Sequence, residues 1–196
     1  MVDRRRKATS VRAEALEIGR RLLLAGGPSA VTLKSVGAEM GMTHANLIHH
    51  FGSAVAFQAQ IQYAIVKELV SSVTGMLERF AAGTAGIGEI VDEVFDAYTN
   101  GGLGALITWW AITKPEERDP ELEQAMVNLV AVLEQAVGGT AAGKRARAMV
   151  WLVCMVALGN SLVGPTLNEN IGADPKDMRD TTVWLLEQLQ KRGPVR

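Results

Sequence analysis

The sequence predicts an all-α fold of about nine helices, and three observations carry that prediction. Apolar residues recur every three or four positions along most of the chain. No segment alternates apolar and polar residues for long enough, between turn signals, to read as a strand. Gly- and Pro-bearing breaks cut the apolar pattern into helix-length pieces.

In the first helical segment Val11, Ala15, Ile18 and Leu22 share a face, with Leu16 and Leu23 beside it and Arg12, Glu14, Glu17, Arg20 and Arg21 as the polar remainder. "AGGPSA", Ala25 to Ala30, ends it. Thr32 is a good N-cap for a short helix that stops at Gly41, and Thr43 caps another ending near Phe51. Ser53 caps a long fourth helix reaching roughly Phe80. "AAGTAGIG", Ala81 to Gly88, breaks the chain most clearly, and helix resumes from Glu89 to Tyr98. "NGGLG" precedes a short apolar helix, "ALITWWAIT", which stops before Pro115. "DPE", Asp119 to Glu121, sets an N-cap before a first-turn proline and opens a helix to about Val137. The next helix runs from near Lys144 to Gly164-Pro165. "DPKD", Asp174 to Asp177, repeats the cap-plus-proline signal and opens the last helix, where Met178, Thr182, Leu185 and Leu189 share a face.

At 196 residues the chain suffices for one or two domains, and 48% hydrophobic with 21% charged residues is an ordinary globular composition. The formal net charge of −1 conceals an asymmetry. Residues 1–60 hold eight Lys/Arg against four Asp/Glu, whereas residues 61–196 are net acidic. A basic front on an acidic body suits an anionic partner such as nucleic acid. The single cysteine excludes an intrachain disulfide and fits a reducing cytoplasm. The basic start runs into an amphipathic, charged segment, which does not read as an export signal. Residues Ala148 to Asn168 carry no charge, but their fully apolar part, Ala148 to Leu158, is eleven residues long. A membrane span needs ~20. That segment therefore reads as a helix buried on several sides inside the protein.

The stretch from Thr32 to Phe51 carries the chemistry. Leu33, Val36 and Met40 point inward from its first helix, Leu47 and Phe51 from its second, and Gly41 lies between them, where a left-handed turn is easiest without a side chain. Two short helices so joined, with a supporting helix before them, make a helix-turn-helix, whose second helix enters the DNA major groove. Its early residues here are Thr43, His44, Ala45 and Asn46, with His49 one turn on. Asn pairs with adenine through two hydrogen bonds, Thr bonds base or phosphate, and Ala meets a thymine methyl.

"VTLKSVGAEMGMTHANLIHHFGS", Val31 to Ser53, resembles the DNA-binding signature of the TetR family of bacterial transcriptional regulators. The shared features are a Thr-led helix, a small residue with an acidic one nearby, a Gly turn, Ser/Thr, and the closing His-Phe. The resemblance covers roughly residues 10–57. It implies a homodimer that binds a palindromic operator on double-stranded DNA and leaves it when a small molecule enters the C-terminal domain. The DNA-contacting set is then Arg4, Arg5, Arg6, Lys7, Thr32, Lys34, Thr43, His44, Ala45, Asn46, His49 and His50. Two positions depart from the pattern: Ile48 stands where the family usually has Tyr or Phe, and Ala54 where Lys is common. A basic arm at Arg4–Lys7 compensates by reaching phosphates or a minor groove.

All three histidines lie in this stretch. Two zinc ligands on one helix want a spacing of three or four, whereas His44 precedes His49 by five and His50 by six. The spacing favours DNA contact over a metal; His50 has the alternative of packing against the first helix. No metal and no cofactor is expected. No histidine stands near a nucleophile, Cys154 lies in an apolar run, and the glycines at 83, 86 and 88 follow no strand, so the chain does not read as an enzyme.

The second half suggests a pocket for a mostly apolar effector, lined by Tyr98, Trp109, Trp110, Met126, Trp151 and Met155 with Asn160 as polar anchor. The same aromatics also suit ordinary packing. The last two helices are the dimer candidates, through Trp151, Leu158, Leu162, Trp184, Leu185 and Leu189, in a two-fold four-helix interface. The domain reading is an arm (1–9), a helix-turn-helix domain (10–52) and a ligand-binding and dimerisation domain (53–196). The function so implied is a ligand-responsive cytoplasmic regulator, a repressor, with no membrane partner. Ile48 and Ala54 motivate an alternative, a dimeric ligand- or partner-binding protein of the same fold with weakened or lost DNA binding.

Overall fold

The computed structural model describes residues 2–113, 120–137 and 142–191, and for residues 2–9, 121, 122, 136 and 137 it describes helical backbone only. Among these residues the chain forms nine α-helices and no strand: α1 (Val2–Gly26), α2 (Leu33–Met40), α3 (His44–Phe51), α4 (Ala54–Ala81), α5 (Ile87–Thr99), α6 (Leu103–Thr113), α7 (Pro120–Val137), α8 (Ala142–Ile171) and α9 (Asp177–Lys191). The all-α expectation holds. The expected cap at Asp119 and the side chains of Arg4, Arg5, Arg6 and Lys7 lie outside the described residues. The backbone of residues 2–9 continues α1 and does not form a separate arm.

The chain divides into two compact units, Met1–Ile65 with Ala105–Glu117, and Val66–Gly104 with Arg118–Arg196. The division falls inside α4, not at residue 53, because the first turns of α4 belong to the core of the first unit. Phe57 and Ile61 are fully buried there. A Cβ at Gly19 of α1 would stand 2.5 Å from Ile61 and 2.7 Å from Phe57, so α1 and α4 approach closely at this glycine and a larger residue would displace those side chains. Most of α6 falls in this unit too.

In the second unit α5 lies against α8 and α9, and α7 against α8. Val91, Val94, Phe95 and Tyr98 form the buried stripe of α5, at the three- and four-residue spacing of one helical face. Glu89 accepts the Gly86 N–H at 3.2 Å and pairs with Arg79, which closes the join between α4 and α5.

Three expectations are corrected. The helix expected to stop at Gly164-Pro165 continues to Ile171, with Pro165 inside it. Proline removes one N–H from the ladder but does not itself turn the chain. The chain turns at Gly172, which takes φ 65. Second, α8 is not buried on several sides. Ala146, Met149, Val153, Ala157 and Gly164 form one buried stripe, while Trp151, Met155, Leu162, Val163, Leu167 and Ile171 face outward. α8 is long and apolar enough to cross a membrane by length and composition alone, and 22% of that apolar window is buried inside the protein. Third, the inward face of α9 is offset from the expected one. Thr182 and Leu186 are buried and Met178 is exposed, because the contact with α5 and α8 selects that stripe.

Candidate functional site

The first unit assembles a helix-turn-helix from local rules. Thr32 Oγ1 accepts the Ser35 N–H at 3.0 Å and caps α2. Gly41 ends it at φ 64, the left-handed conformation a side chain would strain. Thr43 Oγ1 accepts the Asn46 N–H at 3.3 Å and caps α3. Between the two helices Gly37 makes the close approach. A Cβ there would lie 2.6 Å from the Met42 carbonyl oxygen, and the Met42 N–H donates to the Gly37 carbonyl at 2.9 Å. Leu33, Val36, Leu47 and Phe51 fill the space between the helices, and Phe51 meets Phe57 of α4 edge-on at 4.7 Å.

With Leu47 and Phe51 inward, α3 leaves Thr43, His44, Ala45, Asn46 and His49 in solvent, together with Ile48. Lys34 is exposed on α2, and Thr32 is half-buried with its hydroxyl engaged in the cap. His50 is half-buried, and it is its backbone carbonyl that meets the first helix: Arg12 Nε donates to it at 3.1 Å. The same guanidinium lies 5.5 Å from the Phe51 ring centroid. Arg12 thus satisfies a free carbonyl at the C-terminus of α3, where the helix dipole favours a cation. His49 and His50 rings meet edge-on at 5.9 Å. Among the described residues no three His, Cys, Asp or Glu side chains come together as a metal site.

Sequence reasoning missed the residues that hold this unit in place. Gln58 of α4 donates to the Val31 carbonyl at 2.9 Å and anchors the strand of chain entering α2. Arg21 pairs with Glu39, joining α1 to α2. Their partners are 18 to 38 positions away for Arg21 and Arg12, a separation at which no local pattern signals a contact.

The second unit contains an apolar cavity of ≈ 70 Å³ between α4, α5, α7, α8 and α9. Val73, Leu77, Val94, Leu129, Val153 and Leu186 contribute walls, with Cys154 and Gln190 as the polar exceptions. None of the seven residues expected to bind a ligand lines it. Trp109 and Trp110 belong to the first unit with α6. Trp151 and Met155 point to solvent, and Met126 is half-buried on α7. Tyr98 is buried, and its phenol interacts electrostatically with the Cys154 thiol. Burial raises the phenol's pKa far above its ordinary value. Burial also raises the Cys154 thiol, against a smaller lowering by Tyr98, so the thiol stays protonated and neutral. Asn160 borders a separate open recess of ≈ 720 Å³ with Asn168 and Arg179. Arg179 is bonded to Asp92 at 2.9 Å and Asp96 at 2.7 Å. Of the expected dimer residues, Trp151 is 67% exposed and Trp184 57%; Leu162 is exposed, and Leu158, Leu185 and Leu189 are half-buried.

Set against solved structures, the chain is similar to a TetR-family transcriptional regulator from Pectobacterium atrosepticum, with a TM-score of 0.65 and 16% sequence identity over 94% of each chain. The chain has the TetR-family regulator fold. The same fold relates it to SCO4313, described as a regulatory protein, with a TM-score of 0.57 and 17% identity over 96% of this chain and 98% of that one. No protein-family model matches the chain, and no curated protein matches its sequence.

Proposed function

We propose that the protein is a ligand-responsive transcriptional regulator, a cytoplasmic repressor that binds a palindromic operator as a homodimer. The observation that carries this reading is α3: an eight-residue helix held by a Gly37 approach and an Arg12 clamp, with Thr43, His44, Ala45, Asn46 and His49 all presented outward. That surface has the size and chemistry of a major-groove reader. Lys34 and the basic residues Arg4–Lys7 supply phosphate contacts. The outward apolar face of α8 with Trp184 of α9 supplies the dimer contact, which sets two recognition helices one turn of DNA apart. The effector occupies the apolar cavity of the second unit and shifts the dimer toward a spacing the operator does not fit. It does so only through unequal affinity for the two states.

Fluorescence anisotropy with short DNA fragments from upstream of the coding sequence, at two salt concentrations, tests this. Saturable, sequence-selective binding at moderate salt is expected. Binding that is weak at every sequence and vanishes with salt overturns it and favours the second reading, a dimeric ligand- or partner-binding protein with a weakened DNA head. Ile48 of α3 and Ala54 at the start of α4, both exposed, motivate that reading. Under it, Ile48→Tyr combined with Ala54→Lys converts undetectable DNA binding into measurable binding.

A further inference from the structure

We infer that the cavity of the second unit is a binding site for a small, electrically neutral apolar molecule, and that it discriminates against ionised molecules of the same size; this rests on the effector reading above and narrows it to a chemical class. The walls come from five helices, and no lining residue carries a charge. The two lining residues of polar type, Cys154 and Gln190, are both neutral. Burial raises the Cys154 thiol and keeps it protonated. Gln190, on the exposed side of α9, contributes only its aliphatic carbons to the lining, which is wholly apolar. A carboxylate or ammonium entering here would leave its hydration shell with no counter-charge to replace it, whereas a hydrocarbon body loses only unfavourable contact with water.

Volume limits the ligand further. At ≈ 70 Å³ the cavity is about half the ~150 Å³ of an apolar cavity that accepts benzene. A body of six carbons enters as the walls part, and the walls include α4, the helix that continues into the first unit, and α9. Occupancy and a change in helix packing are therefore one event. A peptide or a second helix is too large for the space. An uncharged aliphatic molecule matches the lining, and it fits the volume only as the walls part.

The test is a charge series on one hydrocarbon body: n-hexanol, hexanoate and hexylammonium, titrated into the full-length protein at neutral pH without DNA. Binding is read by methyl NMR and by calorimetry. Saturable n-hexanol binding at least tenfold tighter than either ion is expected, with shifts centred on Val73, Leu77, Val94, Leu129 and Val153. Val150→Phe, which fills the space from α8, is expected to weaken n-hexanol at least tenfold; the methyl map of the unmodified protein stands independently if that variant does not fold. Absence of saturable n-hexanol binding overturns the inference, as does binding of either ion within threefold of the alcohol, or shifts confined to the outer face of α8 around Met155. Hexanol binding in a protein that binds no operator leaves the cavity assignment standing and removes the regulator reading. Operator binding without hexanol binding does the reverse.

Discussion

Gly37 shows how much the recognition unit owes to single positions. Its missing side chain lets the turn after α2 pass against the helix, with 2.6 Å between the Met42 carbonyl oxygen and the place a Cβ would occupy. Backbone cannot yield as a flexible side chain does, so Gly37→Ala is expected to destabilise the protein by about 1–3 kcal/mol. Urea unfolding followed by circular dichroism reads that difference, and an unchanged midpoint contradicts the close-approach account. The Tyr98–Cys154 pair yields a pH prediction. Both groups are acids whose folded pKa is raised, so the stability they contribute is complete below the unfolded value and is lost as pH rises toward the folded one. For the thiol the ordinary value is 9.0, which places the onset of the loss there. As pH rises through about 9 the unmodified protein should lose stability that the Tyr98→Phe, Cys154→Ala double variant retains. Parallel declines in the two proteins would show that the pair does not contribute.

At the level of elements, caps were readable and lengths were not. Thr32, Thr43 and Ser53 sit at the helix starts their residue types indicate, with side-chain oxygens on the expected N–H groups. Pro165 misled because a proline is usually read as a stop, while a helix ends only where the chain can turn, here at Gly172. The interior proline remains a cost to α8. Pro165 is exposed, so replacing it with Ala removes no buried contact and restores one backbone hydrogen bond. Pro165→Ala is expected to stabilise the protein by about 1–3 kcal/mol, visible as a higher thermal midpoint. A lower midpoint would mean that the proline shapes α8 for a contact outside the single chain.

For the whole molecule, the outward apolar face of α8 and the exposed Trp184 of α9 are the features a lone chain leaves unexplained. Such a face marks an interaction surface. Sedimentation at micromolar concentration should give twice the 21.0 kDa chain mass. Trp151→Glu combined with Trp184→Glu should shift the protein toward monomer by at least tenfold in dissociation constant and weaken operator binding in parallel. A monomer in the unmodified protein would remove this interface. α9 also carries Leu186 into the cavity wall. Two positions along a helix turn by about 200°, so Leu186 and Trp184 stand on opposite sides of α9. One helix thus has the apolar cavity behind it and the proposed partner in front.

Local order was determined by the sequence itself: the helical class, the caps, the Gly41 turn and the inward Leu47 and Phe51 follow from residue type and spacing, which act over a few positions. The outward set Thr43–Asn46 followed as the complement of that inward face. Tertiary structure alone decided the rest. It assigned the first turns of α4 to the unit that holds the helix-turn-helix, brought Arg12 to the His50 carbonyl, and placed an apolar cavity among aliphatic residues of five helices, apart from the tryptophans. An aromatic's affinity for a pocket is a property of the residue, whereas a cavity is the space left when distant helices fail to close, and no single segment encodes that space.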